Sequence, residues 1–222
     1  MAIICKEHDL LYLCTAKTGS TSVSSFLIEH FKGEWIPDEN RMSRSGSLID
    51  YKHSTLRELV ENNLLDIKDI HKLNIFSTTR NPFSWVLSNY LFAVKCYKQY
   101  ESEGETAPGW ILQGLERFKS IASVPFEDYV INSFAGAPFS VHKHYTTGFD
   151  TIKQVKVLRL EDLQLDLVSY FSEIGIECEK DIPYLNPTLS KNLSYRNYFT
   201  DKSKSVVSTS FSEDIERFGY CF

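Results

Sequence analysis

Leu10-Leu11-Tyr12-Leu13-Cys14, followed by Thr15-Ala16-Lys17-Thr18-Gly19-Ser20-Thr21-Ser22 and then by the apolar-periodic segment Val23 to Phe31, is the stretch that decides the fold. A short apolar run bounded by polar residues reads as a buried strand, and the periodic segment reads as a helix. The order is strand, loop, helix. The loop carries one glycine, one lysine and five hydroxyls, from Thr15, Thr18, Ser20, Thr21 and Ser22. A helix N-terminus offers backbone N–H groups without intrahelical partners and a partial positive charge. Gly19 lets the backbone approach a ligand closely, Lys17 adds a full charge, and the hydroxyls add donors. Residues 17–22 therefore describe a phosphate cradle. The plainer alternative is a helix start capped by Ser or Thr. Such a cap needs one hydroxyl and no lysine.

A Walker A loop is excluded by spacing. That motif places lysine directly after its last glycine, with another glycine upstream. Here Lys17 precedes Gly19, and the chain has no glycine before it.

Further strand-like runs lie at about 73–78 and 155–159, beside the first at 9–14. Helical patterns fall near 20–32, 55–63, 82–98, 126–134, 161–174 and 204–216. This alternation predicts an α/β fold, three-layered and P-loop-like, with a central parallel sheet flanked by helices. Residues 33–47 and 100–109 read as surface loops. Neither separates two hydrophobic cores, so residues 1–222 are expected to form a single domain.

The chain has 222 residues, is 42% apolar and carries a net charge of −5. An acidic chain is poorly suited to bind nucleic acid through a broad basic surface, so any anion is expected to meet a local cluster. The N-terminal apolar stretch is too short for a signal peptide. No run of 18 apolar residues is present, and no integral membrane segment is expected. The five scattered cysteines form no Cys-x-x-Cys pair and read as reduced thiols of a cytoplasmic protein. His142 and His144 lack partners at zinc spacing, so no metal is expected.

Asn74 to Pro82 repeats the strand–loop–helix plan. Pro82 suits the first turn of a helix. Arg80 then sits at the carboxyl end of a strand, where ligands of α/β sheets bind. Ser88 lies six residues beyond Pro82, about 9 Å along a helix at ~1.5 Å per residue. An arginine fork and a hydroxyl are suited to one phosphate.

Taken in order, Lys17-Thr18-Gly19-Ser20-Thr21-Ser22 and Arg80-Asn81-Pro82 with Ser88 resemble the sulfotransferases that use 3′-phosphoadenosine 5′-phosphosulfate (PAPS). Three more stretches resemble the carbohydrate branch of that family: Lys52-His53-Ser54-Thr55, the junction Val157 to Leu163, and the ending Asp214-Ile215-Glu216-Arg217-Phe218-Gly219-Tyr220. The matches span residues 9 to 220. Ala16 stands where the branch usually has proline, Ser20 where a second glycine is often found, and Trp85 where a basic residue is common.

The resemblance implies a sulfotransferase moving a sulfuryl group from PAPS to a hydroxyl acceptor, a glycan or small metabolite, and leaving 3′,5′-bisphosphate (PAP). It assigns Lys17, Thr18, Gly19, Ser20, Thr21 and Ser22 to the 5′-phosphosulfate, and Arg80 and Ser88 to the 3′-phosphate. Lys17 would stabilise the leaving phosphate, and His53 is the candidate base, since an unperturbed imidazole, with a pKa of ~6.5, can accept a proton near neutral pH. Glu58, His142 and His144 are weaker candidates on the acceptor side. Lys191 and Arg196 are candidate nucleotide contacts. Two other readings stand beside this one: a P-loop-type nucleotide kinase, and a non-catalytic nucleotide-binding protein on the same scaffold.

Overall fold

The computed structural model describes residues 2–42, 48–49, 54–146, 155–185 and 194–222. In chain order its elements are β1 (Ala2–Cys5), β2 (Leu10–Leu13), α1 (Ser20–Phe31), β3 (Glu34–Ile36), β4 (Arg41–Met42), β5 (Leu48–Ile49), α2 (Leu56–Glu61), α3 (Ile67–Ile70), β6 (Asn74–Thr79), α4 (Pro82–Glu103), α5 (Gly109–Gln113), α6 (Leu115–Ala122), α7 (Phe126–Phe134), α8 (Lys143–Thr146), β7 (Lys156–Arg159), α9 (Leu163–Glu173), α10 (Asp201–Ser210) and α11 (Ser212–Phe218). Contacts divide the chain into two compact units. One is Met1–Arg80 with Val141–Asn186; the other is Asn81–Ser140 with Pro187–Phe222.

The first unit holds a five-stranded sheet in the order β3-β1-β2-β6-β7. β2, β6 and β7 run parallel, with Leu13 opposite Ser77 and Thr79 opposite Arg159. β1 is antiparallel to both β2 and β3. The sheet is therefore mixed, where a parallel one was expected. The cause is local. Only four residues join Cys5 to Leu10, and Asp9 turns the chain with φ 48°. A parallel crossover needs a dozen or more residues, whereas a short turn gives an antiparallel neighbour. Lys6–Glu34 and Lys32–Glu7 ion pairs lie across this edge, at 2.6 and 2.8 Å.

Helices cover both faces of the sheet. On one face, Tyr12, Cys14, Phe76 and Leu158 pack with Val23, Phe26, Leu27 and Phe31 of α1 and with Leu163, Leu167 and Phe171 of α9. On the other, Leu11, Leu13 and Ile75 pack with Leu56 and Leu59 of α2 and Ile70 of α3. Strand residues alternate between faces, so each central strand is apolar on both sides and reads as an unbroken hydrophobic run. Fully burying each large side chain here contributes about 1.5–3 kcal/mol.

The second unit is helical. α4 runs 22 residues, past the expected loop start at 100, until Gly104 at φ 58° ends it. Ala93 and Cys96 of α4 pack against Ile111 and Phe118. Phe83 meets Phe199 and Phe222 edge-on. The segment from Asp214 to Tyr220 is held by its own packing and backbone. Asp214 is buried and accepts a bond from Ser140 Oγ at 2.6 Å, and Gly219 closes α11 with φ 66°. No described helix is long and apolar enough to cross a membrane.

Candidate functional site

The lysine loop leaves the carboxyl end of β2 and enters α1 with an unusual backbone. Lys17 has φ 66° and Gly19 has φ 84°. Left-handed conformation costs an ordinary residue roughly 1–2 kcal/mol, so Lys17 is held there by its surroundings. Left-handed residues alternating with right-handed ones turn successive N–H groups toward one point, a nest for an anion. Gly19 is the N-cap of α1, and no side chain among the described residues caps it. The plain capped-helix reading therefore fails. Despite the hydroxyls at Ser20, Thr21 and Ser22, the helix start is left to its backbone donors.

The Leu160 side chain also lies against Gly19 and would have to shift for any larger residue. A Cβ there would lie 2.6 Å from Leu160 Cδ1. The strand-to-helix junction after β7 thus presses directly on the loop.

Three hydroxyls tie the loop to the sheet. Thr18 Oγ1 donates to the Thr15 carbonyl at 2.8 Å. It also lies 2.6 Å from Thr78 Oγ1, which lies 2.9 Å from Tyr12 Oη. Each hydroxyl has a single proton. With Thr18 donating to Thr15, Thr78 must donate to Thr18 and Tyr12 to Thr78. The chain runs one way, Tyr12 to Thr78 to Thr18 to the Thr15 carbonyl. Burial raises the Tyr12 phenol well above its usual pKa, with nearby Cys14 adding to the rise and the Thr78 bond opposing it. Tyr12 therefore keeps the proton it donates.

This network corrects one expectation. The Thr18 hydroxyl was counted among the ligand donors, but it is buried and committed inward. Thr18 has only its backbone N–H to offer an anion. Ser22 is also buried, and its Oγ accepts from the Leu185 N–H at 3.1 Å. Thr21 is exposed, while Lys17, Gly19 and Ser20 are half-buried.

Arg80 follows β6 and reaches across to the loop. Its Nη1 donates to the Lys17 carbonyl at 3.2 Å. The sequence set Arg80 on a second anion, and the structure also makes it a brace for the first loop. Ser88 is buried in α4, in the second unit. Asn81 caps α4, its Oδ1 accepting from Phe83 N–H at 3.1 Å, while its Nδ2 donates to the Cys221 carbonyl at 2.9 Å.

His53, Lys52 and Lys191 lie outside the described residues. Glu58 serves as a cap. Its carboxylate accepts from the Thr55 N–H at 2.7 Å, and Thr55 Oγ1 accepts from the Glu58 N–H at 3.1 Å. This reciprocal capping box accounts for Glu58 without chemistry. His142 is 2% exposed and precedes α8, which packs on α2. Nothing is described of the His144 side chain. Arg196 is exposed and donates to the Phe222 carbonyl at 2.9 Å.

Tyr12 and Thr78 were missed as site residues. A signal existed: a tyrosine inside an aliphatic strand must place its hydroxyl somewhere. Its partner, however, lies 66 residues away. Among the described residues, no group of three His, Cys, Asp or Glu side chains is placed to hold a metal ion. No protein-family model, no curated protein and no solved structure matches this chain.

Proposed function

We propose that this protein is a PAPS-dependent sulfotransferase, built on a three-layer P-loop-like fold, that sulfates a hydroxyl of a carbohydrate acceptor. The observation that carries the reading is the uncapped lysine loop. Its left-handed Lys17 and Gly19 and the uncapped start of α1 suit a phosphate group. The lysine stands before the glycine, which does not suit the triphosphate grip of a Walker loop.

Sulfuryl transfer asks the protein for alignment and for stabilisation of developing charge. In the proposed step the acceptor oxygen forms a bond to sulfur as the bond from sulfur to the 5′-phosphate oxygen breaks. The acceptor proton passes to His53, a role that rests on the resemblance. Negative charge grows on the departing phosphate, where Lys17 and the N–H groups from Thr18 to Ser22 compensate it. PAP leaves with both phosphates. Arg80 is the proposed 3′-phosphate ligand, with Ser88 assigned by the same resemblance. A guanidinium carries five N–H donors, so its bond to the Lys17 carbonyl is compatible with that role. That bond also means that a ligand on Arg80 would be felt by the lysine loop.

The test is thermal unfolding with adenosine 3′,5′-bisphosphate and no Mg²⁺, beside ATP with Mg²⁺, followed by transfer of labelled sulfate from PAPS to a panel of sugars. The reading expects stabilisation by the bisphosphate, label in a sugar, and loss of transfer with retained binding in His53→Ala. Stabilisation by ATP–Mg²⁺ alone would move the assignment to a kinase. Bisphosphate binding without transfer to any acceptor would leave a binding protein.

A further inference from the structure

The two faces of the sheet treat their hydroxyls in opposite ways. On the α1 face, Thr78 is fully used, bonded to both Tyr12 and Thr18. On the α2 face, Thr15 Oγ1, Ser77 Oγ and Thr79 Oγ1 are buried and have no hydrogen-bond partner among the described residues. All three residues are 0% exposed. Ser77 and Thr79 alternate with Phe76 and Thr78 and so share the face of Ile75. The paired register ends with Leu13 opposite Ser77, and Thr15 lies two residues past it, where the chain leaves β2 for the lysine loop. Neighbouring strands lie about 4.8 Å apart, and alternate residues about 6.6 Å along a strand. Two hydrogen bonds of about 2.8 Å span roughly 5.6 Å, so one oxygen can bridge the shorter, cross-strand spacing, and Ser77 needs a second.

An unsatisfied buried hydroxyl costs about 1–3 kcal/mol, and a whole domain is stable by only about 5–15 kcal/mol. Three together would consume a large part of that margin. Valine matches threonine in shape and suits a strand, so a purely structural face would be cheaper with valine. The neighbours on this face, Leu11, Leu13, Ile75 and Leu56, are all apolar. Buried polar groups left in such a place call for a ligand or ordered water.

We propose that Thr15, Ser77 and Thr79 form a binding site for neutral hydroxyl oxygens beneath the lysine loop. Hydroxyls both donate and accept, so they pair with water or an alcohol. Arg159, level with Thr79, is paired with Asp166 at 3.2 Å and Asp162 at 3.0 Å, and the cations Lys17 and Arg80 are assigned to phosphates in the proposed function, so these three side chains themselves offer a ligand only neutral hydroxyls. One source of the oxygen is water sealed in during folding. The other is the acceptor alcohol, admitted when the cover on this face shifts. This second source rests on the sulfotransferase reading; the site itself does not.

Crystals grown without polyol and then soaked in methyl α-D-glucopyranoside test the site. An oxygen within hydrogen-bonding distance of at least two of the three hydroxyls before soaking identifies water. Sugar density only after soaking identifies the alcohol. Empty density in both overturns the proposal. Thermal unfolding of Ser77→Ala, Thr79→Val and Thr15→Val stands alone where crystals fail. An occupied site loses a bridged bond, and Tm falls by about 2–4 °C for each kcal/mol lost. Orphaned hydroxyls would give the opposite sign, and a rise in Tm in all three variants overturns the proposal. Water in the site of a chain that transfers no sulfate would refute the sulfotransferase reading and leave the site standing.

Discussion

Two strand–loop–helix junctions were written in similar letters and folded to different ends. The first, at α1, begins on Gly19 with no side-chain cap among the described residues. The second, at α4, begins on Asn81, whose side chain closes the first turn, with Pro82 next. The first keeps its backbone donors for something else, while the second spends a side chain to satisfy one of its own. What separates them is the backbone. Lys17 and Gly19 are left-handed, and the loop is pinned from below by Thr18 and from the side by Arg80. In the proposed function it is the open helix start together with the left-handed loop that holds the anion. The second junction supplies its cation from a side chain, Arg80, before the helix begins.

The comparison breaks most strongly at Lys17. Lys17→Ala should cut sulfate transfer about 10²–10³-fold, the usual loss for a group that stabilises developing charge. Steady-state turnover with PAPS checks this, and unchanged turnover would remove Lys17 from the chemistry. Next comes Thr18→Val, which cuts the hydroxyl chain and leaves Thr78 without its acceptor. It should destabilise the protein by about 1–3 kcal/mol in urea unfolding; Tyr12→Phe, which removes only the first donor, should cost less.

Gly19→Ala should cost about 1–2 kcal/mol from its left-handed backbone alone, with the Leu160 contact adding to it. Asn81→Ala probes the closed junction. Loss of its cap should lower stability by about 0.5–2 kcal/mol. Adding the bisphosphate should still stabilise Asn81→Ala and should do so less in Gly19→Ala; the opposite pattern would reverse the assignment of open and closed starts.

The effect confined to alkaline solution concerns the thiols. Burial pushes Cys14 up to about 11 and Cys5 up to about 12 from an ordinary 9.0. The unfolded thiols lose protons first as pH rises, so the unfolded chain binds fewer protons. Stability is therefore full below pH 9 and falls between about pH 9 and 12, the Cys14 part of the fall ending near pH 11. Cys14→Ala should flatten that decline in urea titrations, and an unaltered slope would show that Cys14 ionises alike in both states.

Much of the fold was legible because periodicity is a local signal. The three central strands and α1, α4, α7 and α9 lie where the apolar patterns put them. β1 and β3 escaped notice as four and three residues at one side of the sheet, too short for a pattern to stand out. They alone make the sheet mixed. At the site, the lysine, the glycine and the helix start were legible. The direction of the Thr18 hydroxyl was not, because it depends on Thr78, 60 residues away. Nor could a glycine cap be told from a serine cap at Ser20, since both suit a helix start and only the backbone angles decide.

The central claim is that the lysine loop serves a nucleotide carrying a 3′-phosphate. Calorimetric titration of adenosine 3′,5′-bisphosphate and of adenosine 5′-monophosphate, without Mg²⁺, into the wild-type protein and into Arg80→Ala tests it most directly. The account predicts that the bisphosphate binds the wild type about tenfold or more tighter than the monophosphate, from a charge-assisted contact of about 1.5–3 kcal/mol. Arg80→Ala should erase that difference. Equal affinity for both nucleotides in the wild type, or binding of neither, would contradict the account.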